Sequence, residues 1–253
     1  MRGNSQRFVV LQPRDRQLLS EVAIMRIVDR ELAKEVAGFN STTRANARLL
    51  ALTQAGFLRR SFVGTISGGR KAVYSLAKKA MTFGGSGEPT GKAHSELFLE
   101  HQLAVNQIYV NVKHRPIPAP ECIFKRWINF SRVLSKNCSI IPDGYFEFSH
   151  NSVIKPLFLE VDLGTEALRI WQRKIEGYLK LAVSGEFQKL FRQSQFKVLV
   201  IATTQRRVEN IRQLTAKLTD KIFRFTSFEI IKREGFWTAI WQKPEGDQKE
   251  SLL

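Results

Sequence analysis

The 253-residue sequence predicts an α/β protein in two parts: three short helices closed by a β-hairpin, then a mixed sheet flanked by helices. Three observations carry this. Before residue 80, apolar residues recur at helical spacing between Gly and Pro stops, and two β-like runs then flank a Gly-rich turn. Between Met81 and Gly91, four glycines and a proline rule out a helix or strand and mark a linker. Beyond the linker, short apolar runs alternate with amphipathic stretches, and one of those runs carries two carboxylates.

The first part spans residues 10–80. Pro13 suits the first turn of a helix reaching Val28, in which Leu18, Leu19, Val22, Met25 and Val28 recur. Asp29 caps a second helix with Leu32, Ala33 and Val36 on one face, and Gly38 ends it. Asn40-Ser41 caps a third, Thr42 to Ala55, whose buried stripe is Ala45, Leu49 and Leu52. Runs from Phe57 to Val63 and Lys71 to Leu76 form a hairpin around Gly64–Arg70. Three helices and a hairpin in this order make a winged helix-turn-helix. The stripe on the third helix leaves Thr42, Thr43, Arg44, Asn46 and Arg48 on other faces. Arg and Asn pair with guanine and adenine edges, and Thr meets phosphate or a thymine methyl. Arg70 and Lys71 on the hairpin would reach a neighbouring phosphate or the minor groove.

The linker, residues 81–93, leads into a second part at 94–243. A helix from His94 to Val112 is broken by three prolines between His114 and Pro120. Strands follow at 121–130, Asp143–Ser149 and Lys155–Leu163, then a helix at Glu166–Val183 lined by Trp171, Ile175, Tyr178 and Ala182. The apolar strand Phe196–Thr203, a basic helix Gln205–Lys221 and short strands at Phe228–Lys232 and Phe236–Trp241 complete it. Glu160 and Asp162 lie two apart on a buried strand and therefore share a face. Two like charges placed there need a cation. With Asp143 at the mouth of the preceding strand and Lys174 on the next helix, they are the parts of a Mg2+-dependent phosphodiesterase.

Composition points the same way. Forty Lys and Arg against 23 Asp and Glu give +17, which implies a polyanionic partner, and nucleic acid is the commonest. Residues 1–95 hold 16 of the cations and 6 of the acids, as an anchoring part would. No apolar run is long enough to span a bilayer, and the N-terminus lacks the apolar core of a signal peptide. Only Cys122 and Cys138 are present, which excludes a Cys-x-x-Cys zinc site and fits a reducing cytoplasm. His94 and His101 lack partners at metal-ligand spacing, and His114 and His150 read as loop residues.

Helix, three strands, helix and strand is the core order of the PD-(D/E)xK nuclease superfamily. Pro142-Asp143 resembles its first motif, and Glu160 resembles the acid of its second. The lysine that the superfamily carries two residues later is here Asp162. Lys174 to Tyr178 is similar to the Gln-x-x-x-Tyr motif of RecB-type members, with lysine in place of glutamine. Taken with the winged helix, residues 10 to 235 resemble the replication-relaxation family of plasmids and integrative elements. That resemblance implies a DNA-binding protein of a mobile element, acting in replication, mobilisation or its control. It leaves two activities open. One is a Mg2+- or Mn2+-dependent endonuclease or nickase, with Asp143, Glu160 and Asp162 on the metal and Lys174 stabilising phosphoryl charge. The other is a non-catalytic transcriptional or replication regulator that needs no cofactor, its nuclease-like part serving dimerisation or docking. Glu100 is either an extra metal-linked acid or a solvated helix residue. The implied partners are double-stranded DNA, a second copy of the chain and replication or mobilisation proteins, with no membrane.

Overall fold

Pro13 opens the first helix, α1 (Pro13–Met25), as the sequence predicts, but Arg26 turns left-handed and ends it early. The sequence spacing carries that helix on through Ile27 and Val28. Instead their β-branched side chains enter a short strand, β1 (Ile27–Asp29), paired antiparallel with β3 (Arg70–Leu76). Asp29 then accepts the Leu32 amide and caps α2 (Arg30–Ala37), which closes on a left-handed Gly38. Ser41 caps α3 (Thr42–Gln54) in the same way. The hairpin strand β2 (Leu58–Gly64) pairs with β3, giving a three-stranded sheet in the order β1-β3-β2.

The computed structural model describes residues 9–64, 68–83 and 95–253. They form two compact units, Met1–Arg115 and Pro116–Leu253. Of the expected linker, residues 81–83 lie in a 3-10 helix, Lys78–Phe83, and 84–93 lie outside the described residues. The helix expected to open the second part, α4 (Glu96–Lys113), belongs to the first unit. The reason lies in polar residues that an apolar-stripe reading passes over. Buried Asn106 donates to the carbonyls of Met25 and Ile27 at 2.9 and 2.7 Å, and Gln102 donates to Asn106. Tyr109 and Lys113 reach Glu21 on α1 at 2.6 and 2.7 Å. These bonds satisfy the carbonyls left where α1 gives way to β1.

In the second unit, seven strands form one mixed sheet in the order β10-β9-β8-β7-β6-β5-β4. The strands β4 (Cys122–Ile128), β5 (Gly144–His150) and β6 (Val153–Asp162) make an antiparallel meander. Helix α5 (Leu168–Val183) and the short α6 (Glu186–Phe191) lead to β7 (Lys197–Ala202), which is parallel to β6. Helix α7 (Gln205–Ala216) then leads to β8 (Phe223–Ser227), parallel to β7. One core packs Phe158, Val198 and Val200 of the sheet against Trp171, Ile175 and Tyr178 of α5 and Val208 and Ile211 of α7. Aromatic side chains fill it: the Phe158 ring meets Tyr145, Tyr178, Phe187, Phe191 and Phe196.

Two C-terminal expectations are corrected. Phe228–Lys232 reads as a strand in the sequence, but Ser227 accepts the Ile230 amide and caps a helix, α8 (Phe228–Glu234). Phe236–Trp241 is also not a strand. Only Trp241–Gln242 (β9) pairs, with β8 and with β10 (Lys249–Glu250), while Phe236 and Trp237 pack on Phe146 and Phe148 of β5. Cys122 and Cys138 are buried free thiols. No helix among the described residues is long and apolar enough to cross a membrane.

The network joining α1 to α4 has a measurable pH signature. Burial works to raise the Glu21 carboxyl, but the His114 imidazole 3.1 Å away and the hydrogen bonds from Lys113 and Tyr109 outweigh it and bring it down to about 2. A depressed carboxyl contributes stability above its unfolded value near 4.5, and that stability is lost as pH falls towards 2. The contribution is about 3 kcal/mol. Thermal melts from pH 6 to 2 are therefore expected to fall more steeply for the wild type than for Glu21→Gln; equal slopes would contradict the assignment.

Candidate functional site

Strand β6 places Glu160 and Asp162 on one face, over α5 and α7, as period two requires. Both are fully buried, Glu160 against α5 and Asp162 against α5 and α7. Glu160 receives the Tyr178 hydroxyl at 2.5 Å on one oxygen and the Lys174 ammonium at 3.0 Å on the other. Lys174 and Tyr178 stand one turn apart on α5, so a single helix face delivers both. Lys174 also holds Glu166, in the turn after β6, at 2.9 Å. Asp143 sits just before β5 and accepts the Val161 amide at 2.7 Å.

Charge binds these groups into one cluster. Burial and the neighbouring Asp143 carboxylate lift the Glu160 carboxyl to about 7, against the opposing pull of Lys174 and Tyr178. Burial would lower Lys174, but the carboxylates of Glu160, Asp143 and Glu166 outweigh it and raise the ammonium above its ordinary range. The Tyr178 phenol is driven up by burial and by Glu160. Three carboxylates thus share one ammonium.

Asp162 does not join them. Arg207, in the first turn of α7, grips both its oxygens at 3.0 and 2.8 Å, and the Trp171 indole and Gly164 amide donate as well. Burial works to raise this carboxyl, and these donors together hold it below the usual range. The fourfold grip leaves no lone pair facing Glu160, so the metal set of Asp143, Glu160 and Asp162 does not assemble. Among the described residues no three His, Cys, Asp or Glu side chains gather as metal ligands. The residues present do not fit a shared divalent ion. Glu100, on α4, is exposed in the other unit.

The expected nucleic-acid face divides as well. On α3, Ala45, Leu49 and Leu52 are buried while Thr43, Arg44 and Asn46 stand exposed. Thr42 is half-buried, with Lys34 at 3.4 Å. Arg48 is not on the open face: it pairs with fully buried Asp15 of α1 and donates to the Val10 carbonyl. Arg70 is exposed at the start of β3, and Lys71 beside it reaches Asp29 at 3.1 Å. Three partners escaped the sequence reading. Arg207 hid in what looked like a solvated basic helix, Glu166 lay in a turn, and His114, read as a loop residue, lies 3.1 Å from Glu21. The one signal for Arg207 is Asp162 itself, a buried acid whose charge a protein cation can answer in place of a metal.

Against known proteins, the sequence matches the family described as Replication-relaxation over residues 14–193. No curated protein matches. Two solved structures are similar, both restriction endonuclease FokI. One shares 13% identity over 87% of this chain and 44% of its own, with a TM-score of 0.31. The DNA-bound enzyme shares 13% over 87% and 45%, with a TM-score of 0.28. The chain spans less than half the length of those enzymes.

Lys174 offers a direct test of the cluster. Lys174→Met removes the one ammonium that the three carboxylates share, and leaving Glu160 buried without it is expected to cost about 3–5 kcal/mol. Millimolar Mn2+ should recover part of that loss in the variant, because a cation that binds only the folded state stabilises it. The wild type should melt at the same temperature with Mn2+ and with chelator. A Mn2+-dependent rise in the wild type would show that its acids hold a metal as they stand.

Proposed function

We propose, from the premise that this chain belongs to the replication-relaxation family, that it is a DNA-binding protein of a mobile element, serving replication, mobilisation or its control. It engages duplex DNA through the exposed first half of α3 and the basic β2–β3 hairpin, acting as a winged helix-turn-helix. One observation carries the reading: the apolar stripe anchors α3, while Thr43, Arg44 and Asn46 remain exposed near its N-terminal end. Those side chains suit base edges and phosphates in a major groove. The +10 excess of residues 1–95 supplies the non-specific attraction that brings a duplex there.

Binding without cleavage is the form the cluster supports. Asp162 is committed to Arg207, and both Glu160 oxygens face α5. The second unit then serves dimerisation or the docking of replication or mobilisation proteins. Supercoiled plasmid incubated with the protein and Mg2+ or Mn2+ is expected to stay supercoiled; nicking that disappears in Glu160→Gln would reverse this reading.

Arg44→Ala is expected to weaken specific DNA binding by about 1–3 kcal/mol without lowering the melting temperature. Arg48→Ala should do the opposite, since its loss strands the buried Asp15 carboxylate. Gel shifts and melts on both variants check the pair, and unchanged affinity in Arg44→Ala would remove α3 as the reader. Binding that neutralises about six phosphates should also give log K against log salt a slope of about −5. A flat response would assign the basic charge to something other than nucleic acid.

A further inference from the structure

We propose that Phe62 is an apolar wedge that the hairpin inserts between base pairs from the minor groove, bending the duplex; this rests on the DNA-binding reading above. Phe62 lies on β2, the edge strand of its sheet, and remains 43% exposed. A large aromatic left open beside a core that buries Leu58 and Val63 of the same strand gives up hydrophobic stabilisation. Phe in a strand ordinarily packs into a core, and here it does not.

The surroundings of the ring point to its partner. By strand register, Leu58, Arg60, Phe62 and Gly64 share one face with Arg70, Ala72, Tyr74 and Leu76. The inner end of that face is buried at Leu58 and Tyr74, while the outer end presents Phe62 between two exposed arginines. The Arg60 and Arg70 guanidiniums lie 5.3 and 5.9 Å from the ring centroid. Cation–π attraction at those distances favours an arrangement in which the two cations flank the ring. Among the described residues neither arginine has a carboxylate partner, whereas Lys71 on the opposite face is matched to Asp29. One acid, Glu96, does reach this end of the hairpin, its carboxylate 3.7 Å from where a Gly64 Cβ would stand. The group is therefore a ring flanked by two cations rather than a uniformly basic face.

A duplex answers that chemistry. Arginines enter the minor groove because its potential is strongly negative. Apolar side chains that follow them unstack a base step and kink the helix away. Phosphate contacts alone would call for the arginines and leave the ring unexplained. A protein partner would need acids to answer Arg60 and Arg70, whereas nucleic acid, to which the unit's net charge already points, meets both demands at once.

Ligase cyclisation of mixed-sequence duplexes of about one persistence length, ~150 bp, tests this without knowledge of the binding site. The wild-type full chain is expected to raise ring closure about tenfold or more at saturating protein. Phe62→Ala should bind with an unchanged salt slope but lose most of that increase, and Phe62→Leu, which keeps an apolar wedge, should retain much of it. Melting temperatures of both variants guard against misfolding, and if Phe62→Ala melts early, Phe62→Ser and Phe62→Leu carry the comparison. Wild-type protein that binds duplex without raising ring closure would overturn the wedge alone, as would Phe62→Ala closing rings like wild type. Preferential capture of a single-stranded oligonucleotide, with Phe62→Ala losing that preference, would equally overturn it, making the ring a base-stacking platform. Failure of the wild type to bind duplex at all would sink the DNA-binding reading beneath it.

Discussion

The second unit is built around a constraint on one strand: β6 buries two carboxylates, and each must be answered where it stands. An isolated ionised carboxylate in a protein interior costs many kcal/mol, so its neighbours are fixed by charge before they are fixed by shape. Glu160 draws α5 down through Lys174 and Tyr178, and Asp162 draws α7 down through Arg207. Because the two acids lie two residues apart, both helices must cover the same face of the sheet. The strand order agrees. Stepping from β6 to β7 to β8 in one direction, with parallel pairing, puts successive right-handed crossovers on one side. The apolar core between them, Phe158 against Trp171, Ile175, Tyr178, Val208 and Ile211, then closes around the ion pairs.

The same pairs account for the two buried acids that the sequence reading offers to a metal. The resemblance calls for a lysine two residues after Glu160, and the chain has an acid there instead. The missing positive charge is supplied twice over from the helices, by Lys174 on α5 and Arg207 on α7. Each cation answers one fully buried acid, while Asp143 and Glu166 keep partial access to water. The balance is local and complete for the buried pair. A divalent ion added to it would have to displace a cation the fold already provides.

How much of this the sequence disclosed depends on how local the deciding interaction was. The boundaries of α2 and α3 were legible because Asp29, Gly38 and Ser41 act within a few residues. The shared face of Glu160 and Asp162 followed from strand period alone, and Lys174 with Tyr178 from helical spacing. The helix at Phe228 was missed because a run of β-branched and aromatic residues outweighed a single capping serine on paper, and not in the fold. Two failures have a different origin. The placement of α4 rests on Asn106 bonding carbonyls some eighty positions away, and the capture of Asp162 by Arg207 spans 45 positions. Periodicity cannot see either, because it records which face is apolar and not which polar group a partner will claim.

That blindness also affects how net charge is read in the first unit. Residues 1–95 offer 16 cations, and on paper any of them is available to a polyanion. Internal pairing removes some: Arg48 goes to Asp15 and Lys71 to Asp29, while Lys113 and Arg115 from farther along take Glu21 and Glu35. Glu31 is shared by Arg30 and Lys34. These pairs engage the five acids among the described residues of that stretch; Glu96, just beyond it, reaches the end of the hairpin, and cations remain in excess. Exposed Arg44, Arg60 and Arg70 belong to that remainder. A surface that keeps cations after its own acids are used has to be answered from outside, by counterions or by a polyanion that displaces them. Release of those counterions is what would drive the proposed DNA contact on the face of α3 and the exposed end of the hairpin.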